Sequence, residues 1–139
     1  MDINFFAEKT EMPDIDRQKI SGWILKIINE NKKNTGELNI IFCSDEYLLK
    51  LNKKHLNSDY YTDIISFDYC NGDMISGDIF ISLCRVNENA EKFNSKDTEL
   101  LRVIIHGVLH LLGYNDETKE DKKIMTEKEN EALRLYEKR

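Results

Sequence analysis

The 139-residue sequence predicts an α+β fold, in which about four strands form a small mixed sheet and four to five helices pack around it. Three observations lead to this class. Strand-like segments alternate with helical segments in the first half of the chain, and two strands then follow each other with only a turn between them. The segment Leu100–Leu112 is apolar on nearly every side, so it belongs in the core as the central helix.

The chain begins with one predicted strand and one predicted helix. The apolar run Ile3–Ala7 has the length of a short strand. Pro13, followed by Asp14 and Asp16, is typical of a helix start. The apolar residues of this helix share one stripe at helical spacing: Ile20, Trp23, Ile24, Ile27 and Ile28. The stripe predicts core packing, and residues 34–36 (Asn-Thr-Gly) are expected to end the helix.

A second strand and a second helix follow. The segment Leu38–Cys43 contains three consecutive apolar residues and predicts a buried strand. Ser44 or Asp45 is a suitable N-cap for a helix that runs to about Lys54. Two residues of this helix are expected to face inward: Leu48 and Leu51. Residues 57–59 are predicted to form a loop.

The middle of the chain predicts a β-hairpin followed by a short helix. Tyr61–Tyr69 and Gly77–Leu83 are the predicted strands, and Asn71–Asp73 is the turn between them. Strict alternation places Thr62, Ile64, Ser66 and Asp68 on one face of the first strand, and Asp63, Ile65, Phe67 and Tyr69 on the other. One face of the second strand carries Ile79, Ile81 and Leu83. Val86–Phe93 is predicted to be a short helix or a helical turn.

Two further helices complete the predicted fold. Ser95 or Asp97 is expected to cap the central helix. Thr118, with Asp121 three residues later, resembles a capping box, from which a final helix is expected to run to about Lys138. The predicted inward stripe of this helix comprises Ile124, Met125, Ala132, Leu133 and Tyr136. We therefore expect one domain that spans residues 1–139.

The composition predicts a soluble globular protein of the cytoplasm. Hydrophobic residues make up 40% of the chain and charged residues 33%. No apolar run reaches the ~18–20 residues that a membrane helix needs, and the N-terminus lacks the basic and apolar regions of a signal peptide. The three cysteines are scattered, which favours free thiols in a reducing compartment and disfavours a cysteine metal site.

The net charge of −6 does not favour a general nucleic-acid binder, because such proteins neutralise phosphates with a basic surface. Two sources of local positive charge remain. One is a bound divalent cation. The other is a cluster of basic residues that comprises Lys50, Lys53, Lys54 and His55. An ordinary solvated helix face is the simpler interpretation of that cluster.

The central helix carries two of the three histidines. His106 and His110 are four residues apart, a spacing that places both imidazoles on one face of a helix. Gly113 suits the left-handed position that ends a helix, so the chain can turn back and bring Asp116 beside them. Two nitrogens and one carboxylate oxygen around an open position are the ligands of a catalytic metal site, for which one zinc ion per chain is the best candidate. Two core imidazoles that lacked partners would instead cost ~1–3 kcal/mol each.

Four segments resemble the YbeY family of bacterial endoribonucleases. Residues 106–114 (HGVLHLLGY) resemble the family signature H-G-x-L-H-L-x-G-Y-D-H. The segments LN at 51–52, TDIISF at 62–67 and GDI at 77–79 resemble its L-N, T-D-V-L-S-F and G-D-I segments, in the same order. The resemblance implies an α+β sheet with helices packed around it and the metal helix in the middle.

The sequence departs from the family pattern at two positions. The third metal ligand of the family is usually His, and Asp116 stands there in this chain. Aspartate is a competent zinc ligand, so metal binding is expected to persist. The family usually has an Arg after L-N-x-x-Y, where this chain has Leu56. An arginine there would clamp or neutralise the scissile phosphate.

The resemblance implies a zinc-dependent endoribonuclease that cleaves single-stranded RNA. It further implies action on the 3′ end of small-subunit (16S) ribosomal RNA, a part in ribosome quality control, and the ribosomal small subunit as a partner. A non-catalytic, zinc-stabilised ribosome-associated factor is the alternative, because the Arg is missing at Leu56. The spacing H-x-x-x-H-x-x-G-x-x-D also matches metzincin peptidases, which need Glu after the first His; Gly107 holds that position and cannot take a proton.

The sequence leaves the route of phosphodiester cleavage open. A zinc ion with three protein ligands keeps a fourth site for water and can lower the pKa of that water to about 7. The resulting hydroxide could attack the phosphodiester, or the metal could polarise the phosphate while the RNA 2′-hydroxyl attacks. The candidate catalytic residues are Asp63, Asp78 and Ser66, with Glu117 as a further carboxylate. A structural role, or one in orienting the ligand histidines, is favoured for Ser66.

Overall fold

The computed structural model describes residues 2–56, 62–93 and 98–137, and these residues form four strands and five helices. The strands are β1 (Asp2–Glu8), β2 (Asn34–Cys43), β3 (Ile64–Asp68) and β4 (Met74–Ser82). The helices are α1 (Arg17–Glu30), α2 (Asp45–Leu56), α3 (Leu83–Phe93), α4 (Glu99–Leu111) and α5 (Lys119–Glu137). The predicted α+β class, with α4 as the central helix, is confirmed.

The four strands form one mixed sheet in the order β1-β2-β4-β3. β1 pairs with β2 and β2 pairs with β4 in parallel, whereas β3 and β4 are antiparallel. The helix α1 supplies the crossover that two parallel neighbours require. The predicted hairpin is confirmed, and its turn has Gly72 at a φ of 61°, a left-handed conformation that favours glycine.

Helices cover both faces of the sheet. α1, α4 and α5 share one core with the face of β2 and β4 that carries Leu38, Ile40, Ile79 and Ile81. α2 packs on the opposite face, where Leu48 contacts Cys43 and Ile65. The stripe predicted for α1 is confirmed, since all five of its residues are buried. Trp23 in that stripe also ties α1 to α5, because its Nε1 donates a hydrogen bond to the carbonyl oxygen of Ala132 at 2.7 Å.

The helix α4 lies on β3 and β4 at close range. Its buried residues lie on every side except the one that carries Arg102 and the two histidines: Val103, Ile104, Ile105, Gly107, Val108, Leu109 and Leu111. The closest approach is at Gly107, where an added Cβ would lie 2.9 Å from Ile79 Cγ2 and 3.0 Å from Ile64 Cδ1. A glycine at this position lets the helix backbone lie directly on the sheet.

The expected helix end at residues 34–36 is wrong, since these residues begin β2. α1 ends earlier, because Asn31 occupies its C-cap and Lys32 turns the backbone with a φ of 60°. Gly36 serves another purpose. A Cβ there would lie 2.2 Å from Ser76 Oγ, so the glycine makes room for a side chain of the neighbouring strand.

Three other expectations need correction. Leu83 begins α3 and does not extend β4, because the Ser82 hydroxyl accepts a hydrogen bond from the Arg85 amide and starts the helix there. Ile124 is 40% exposed, since the inward stripe of α5 passes through Met125 and leaves the neighbouring position to solvent. β3 covers only Ile64–Asp68 of the longer strand that was predicted.

The capping box at the start of α5 is confirmed. The Asp121 amide donates to Thr118 Oγ1 at 3.0 Å, and the Thr118 amide donates to Asp121 Oδ2 at 3.4 Å. The three cysteines are free thiols, as expected. The expected cap of the central helix at Ser95 or Asp97 is wrong, since Thr98 holds the N-cap position of α4. Three predictions lie outside the described residues: the loop at 57–59, the start of a strand at Tyr61, and a helix end at Lys138. In the described part of the chain, no helix is both long and apolar enough to span a membrane.

Candidate metal centre

The last two turns of α4 present the two histidines side by side. The ring centroids of His106 and His110 are 4.7 Å apart, as the four-residue spacing predicts. The helix then ends in a Schellman motif. The Gly113 amide donates to the His110 carbonyl and the Tyr114 amide donates to the Leu109 carbonyl, both at 3.0 Å. Gly113 has a φ of 106°, so the predicted left-handed glycine is confirmed.

The turn brings Asp116 back to the histidines. Its Oδ2 lies 3.3 Å from His106 Nε2 and 3.5 Å from His110 Nε2. Two donor atoms that each lie about 2.0–2.1 Å from a tetrahedral zinc ion are about 3.3–3.4 Å apart. One atom from each of the three side chains lies within 4.8 Å of the others, and the three can hold a metal ion. The donor set of two imidazoles and a carboxylate fits zinc.

The sequence interpretation missed a carboxylate behind the histidines. Glu129 of α5 is only 7% exposed, and its Oε2 lies 2.6 Å from His106 Nδ1. Its other oxygen accepts a hydrogen bond from Arg102 Nη1 at 2.9 Å. A signal for this residue existed, because position 129 lies at helical spacing between the inward residues Met125 and Leu133. A charged residue in such a stripe indicates a buried partner.

Two opposing effects act on the pKa of His106. Burial of the ring lowers the pKa. The hydrogen bond and negative charge of Glu129, together with the charges of Asp116 and Asp63, outweigh burial and raise the pKa above the ordinary value. Protonation of this ring competes with a metal ion for the Nε2 atom, so metal binding is expected to weaken as the pH falls.

A cleft of about 460 Å³ opens over the three candidate ligands. Beside them, the polar residues that line it are Asn52, Thr62, Asp63, Ser66 and Asp68. A second cavity of about 260 Å³ shares Asp63, His106 and Asp116 with the first, and extends to Arg102 and Glu129. The candidate ligands are therefore accessible from a groove large enough for part of a polymer, and carboxylates line much of it.

The structure separates the candidate catalytic residues. Asp63 and Ser66 line the cleft. Alternation along the strand predicts the opposite face for Asp63, but β3 begins only at Ile64, so the pleat does not govern the preceding residue. Asp78 lies on the other face of the sheet, where its Oδ1 accepts a hydrogen bond from Asn39 Nδ2 at 2.9 Å. Glu117 is exposed and is not among the residues that line the cleft.

In metzincin peptidases the residue after the first histidine is the general base, and Gly107 holds that position in this chain. Gly107 lies against Ile79 and Ile64 of the sheet, and a side chain there would have no room to reach the cleft. Gly107 therefore leaves no space for the glutamate that metzincin chemistry requires.

The basic cluster lies on α2, the helix that also supplies Asn52 to the cleft. Lys50, Lys53 and Lys54 are exposed, while the neighbouring Asn52 is buried and lines the cleft. The side chains of His55 and Leu56 fall outside the described residues.

Comparison with known proteins identifies similar chains along nearly the whole length. A family model described as Endoribonuclease YbeY matches residues 4–137. A protein of Phocaeicola vulgatus named Endoribonuclease YbeY is 51% identical over 134 residues, which are 96% of this chain and 97% of that protein. A protein of the same name from Bacteroides thetaiotaomicron is 48% identical over 136 residues, 97% of this chain and 99% of the relative. A solution structure from Thermotoga maritima matches with a TM-score of 0.70 at 26% identity, and the match covers 95% of this chain and 88% of that one.

Proposed function

Because the chain belongs to the YbeY family of endoribonucleases, we propose that it cleaves single-stranded RNA with one zinc ion held by His106, His110 and Asp116. The observation that carries this proposal is the distance from Asp116 Oδ2 to the Nε2 atoms of the two histidines, 3.3 and 3.5 Å. Three donors at these spacings leave a fourth position open toward the cleft. When bound, zinc supplies Lewis acidity, which stabilises charge on a phosphate and lowers the pKa of water.

The residues around the cleft bind the substrate and move a proton. Asp63 is the carboxylate that we assign to proton transfer, because it lines both cavities beside the candidate ligands. Ser66 faces the same cleft from β3, and we assign it to orienting the groups around the ligand histidines. The buried Asn52 forms part of the wall of the same cleft.

The net charge of −6 requires a local explanation for binding a polyanion. A divalent cation at the three ligands would offset part of the negative charge in the cleft. The exposed lysines at positions 50, 53 and 54 lie on α2, the helix that also supplies Asn52 to the cleft, and they offer phosphate contacts outside the cleft itself. RNA is therefore expected to approach over α2 and to enter the cleft past Asn52.

The biological setting of the reaction follows from the family. We propose that the chain acts as one cytoplasmic hydrolase domain, residues 1–139, on the 3′ end of 16S ribosomal RNA. Association with the ribosomal small subunit and a part in ribosome quality control belong to the same proposal. The substitution of the usual Arg by Leu56 favours one alternative, a ribosome-associated factor that binds zinc but does not cleave RNA.

The test is cleavage of a single-stranded RNA fragment from the 3′ end of 16S ribosomal RNA. Protein without a histidine tag is purified as wild type and as the variant His110→Ala, because a tag would itself bring metal. We expect wild type to carry one zinc ion per chain and to cleave the RNA, and the variant to lose both, since it lacks one of three ligands.

Each other outcome of this experiment has a defined meaning. Equal cleavage by both proteins would indicate a contaminating nuclease and contradict the assignment of this site. RNA binding without cleavage by either protein would favour the non-catalytic ribosome factor. A variant of His110 that keeps one metal per chain would refute the ligand assignment.

A further inference from the structure

We propose that Glu129 and Arg102 form a positioning pair that fixes the tautomer and the orientation of His106, and thereby sets the affinity of the site for its metal. This inference rests on the proposed metal site and adds two residues that do not themselves contact the metal. Neither residue was singled out from the sequence. The contacts that support it join residues of α4 to residues of α5.

Both carboxylate oxygens of Glu129 have partners. Oε2 lies 2.6 Å from His106 Nδ1, and Oε1 lies 2.9 Å from Arg102 Nη1. The Arg102 Nη2 atom donates a second hydrogen bond to Asn130 Oδ1 at 2.8 Å. Glu129 is 7% exposed, so its charge is shielded from water and depends on these two contacts.

The contact with Glu129 determines which nitrogen of His106 is available to a metal. An ionised carboxylate only accepts hydrogen bonds, so the ring must carry its hydrogen on Nδ1. The neutral ring then has its lone pair on Nε2, and this is the atom that lies 3.3 Å from Asp116 Oδ2. Rotation of the ring by half a turn would break the contact between Nδ1 and Glu129. This contact therefore holds Nε2, the ligand atom, in place before a metal binds.

The second histidine is held differently. The His110 side chain is 32% exposed against 21% for His106, and its Nε2 contacts Asp116 at 3.5 Å. Within residues 2–56, 62–93 and 98–137, no carboxylate supports its other nitrogen. The two ligands on α4 are thus unequal, since one is preorganised by the protein and the other is oriented chiefly by its position on the helix.

The decisive measurement is the zinc dissociation constant, obtained by competition with a chromophoric chelator. Wild type is compared with Glu129→Gln, which keeps the size of the side chain but removes its charge. The matched control is Glu131→Gln on the same helix, where the exposed Glu131 forms an ion pair with Lys128 of α5 and lies away from His106. We expect Glu129→Gln to weaken zinc binding by about 10- to 100-fold, and Glu131→Gln to bind as wild type does.

A structural effect must be separated from a positioning effect. Trp23 is the only tryptophan of the chain, and it hydrogen-bonds to Ala132 and packs against Tyr136 of α5. Its fluorescence in the metal-free proteins therefore reports whether α5 is docked. If Glu129→Gln leaves Arg102 unpaired and unfolds the protein, the double variant Arg102→Gln with Glu129→Gln removes both charges together. It is expected to dock α5 and still to bind zinc weakly.

The outcomes separate this inference from the proposed function. If wild type itself binds no stoichiometric zinc, the metal site and the positioning pair fail together. If wild type binds zinc and a folded Glu129→Gln variant binds it equally well, only the positioning pair is overturned. Recovery of wild-type affinity in the double variant would also overturn it, because unpaired charge and not lost orientation would then explain the single variant.

Discussion

The polar side chains on the two faces of the sheet have different surroundings. On the face under α4, Asp63 and Ser66 line an open cleft beside the candidate metal ligands. On the opposite face, Asp78 belongs to a row across three strands, in which Asn39 Nδ2 donates to Asp78 Oδ1 at 2.9 Å and Asn4 Nδ2 donates to Asn39 Oδ1 at 3.1 Å. Polar side chains on the first face remain available to a ligand, whereas those on the second bind one another.

The difference shows that similar sequence contexts can lead to opposite surroundings. Asp63 and Asp78 each stand before an isoleucine in a segment that resembles the family, and both were candidates for acid–base catalysis. Their environments depend on the strand register and on where β3 begins. We therefore expect Asp63, which lines the cleft, to contribute to catalysis, and Asp78, which lies on the other face, not to contribute.

The largest expected effect comes from exchanging each of these carboxylates for an amide. Asp63→Asn should lower RNA cleavage by about 10²- to 10⁴-fold with zinc content unchanged, because a positioned acid or base is removed. Asp78→Asn, the matched control, should cleave near the wild-type rate and lose at most about 1 kcal/mol of stability with its hydrogen bond. The measurements are the cleavage rate and the zinc content of both proteins. If Asp78→Asn lost more activity than Asp63→Asn, the catalytic assignment of Asp63 would be contradicted.

A smaller effect is expected where α4 touches the sheet. Gly107→Ala should reduce the free energy of unfolding by about 1–2 kcal/mol, because strain of about 1–3 kcal/mol from overpacking against Ile79 exceeds the gain in helix propensity. The control is Gly22→Ala inside α1, where the same change should stabilise the protein by about 0.5–1 kcal/mol. Urea unfolding measures both, and stabilisation at both positions would show that the packing on this face tolerates a methyl group.

The smallest effect is expected from restoring the usual third ligand. Asp116→His should keep one zinc ion per chain and bind it as tightly as wild type or more tightly, since the Asp116 side chain is 41% exposed and leaves room for an imidazole. Zinc content and the dissociation constant are the measurements. Loss of the metal in a folded variant would exclude Asp116 from the ligand set and leave the α4 face with two ligands.

The features that the sequence predicted well are local in the chain. Helical spacing alone sets His106 and His110 side by side, and a glycine with positive φ turns the chain toward Asp116. Glu129 lies 23 positions from His106, and the two meet only because α5 packs against α4. Such contacts depend on the angle and register between helices, which residue spacing in one sequence does not determine. Ile124 shows the same limit, because an error of one position on a helix moves a side chain from core to solvent.

The Schellman turn after α4 has a consequence for the order of assembly. All three candidate ligands lie between positions 106 and 116, so the entropy lost in bringing them together is small. Asp63 and Glu129 come from distant parts of the chain and require the sheet and α5 to be in place. The segment that carries the three candidate ligands is therefore continuous in the chain, whereas the complete site also requires β3 and α5 to be packed against α4. Separation of α5 from α4 would therefore leave the three candidate ligands on one short segment but remove the Glu129 contact from His106.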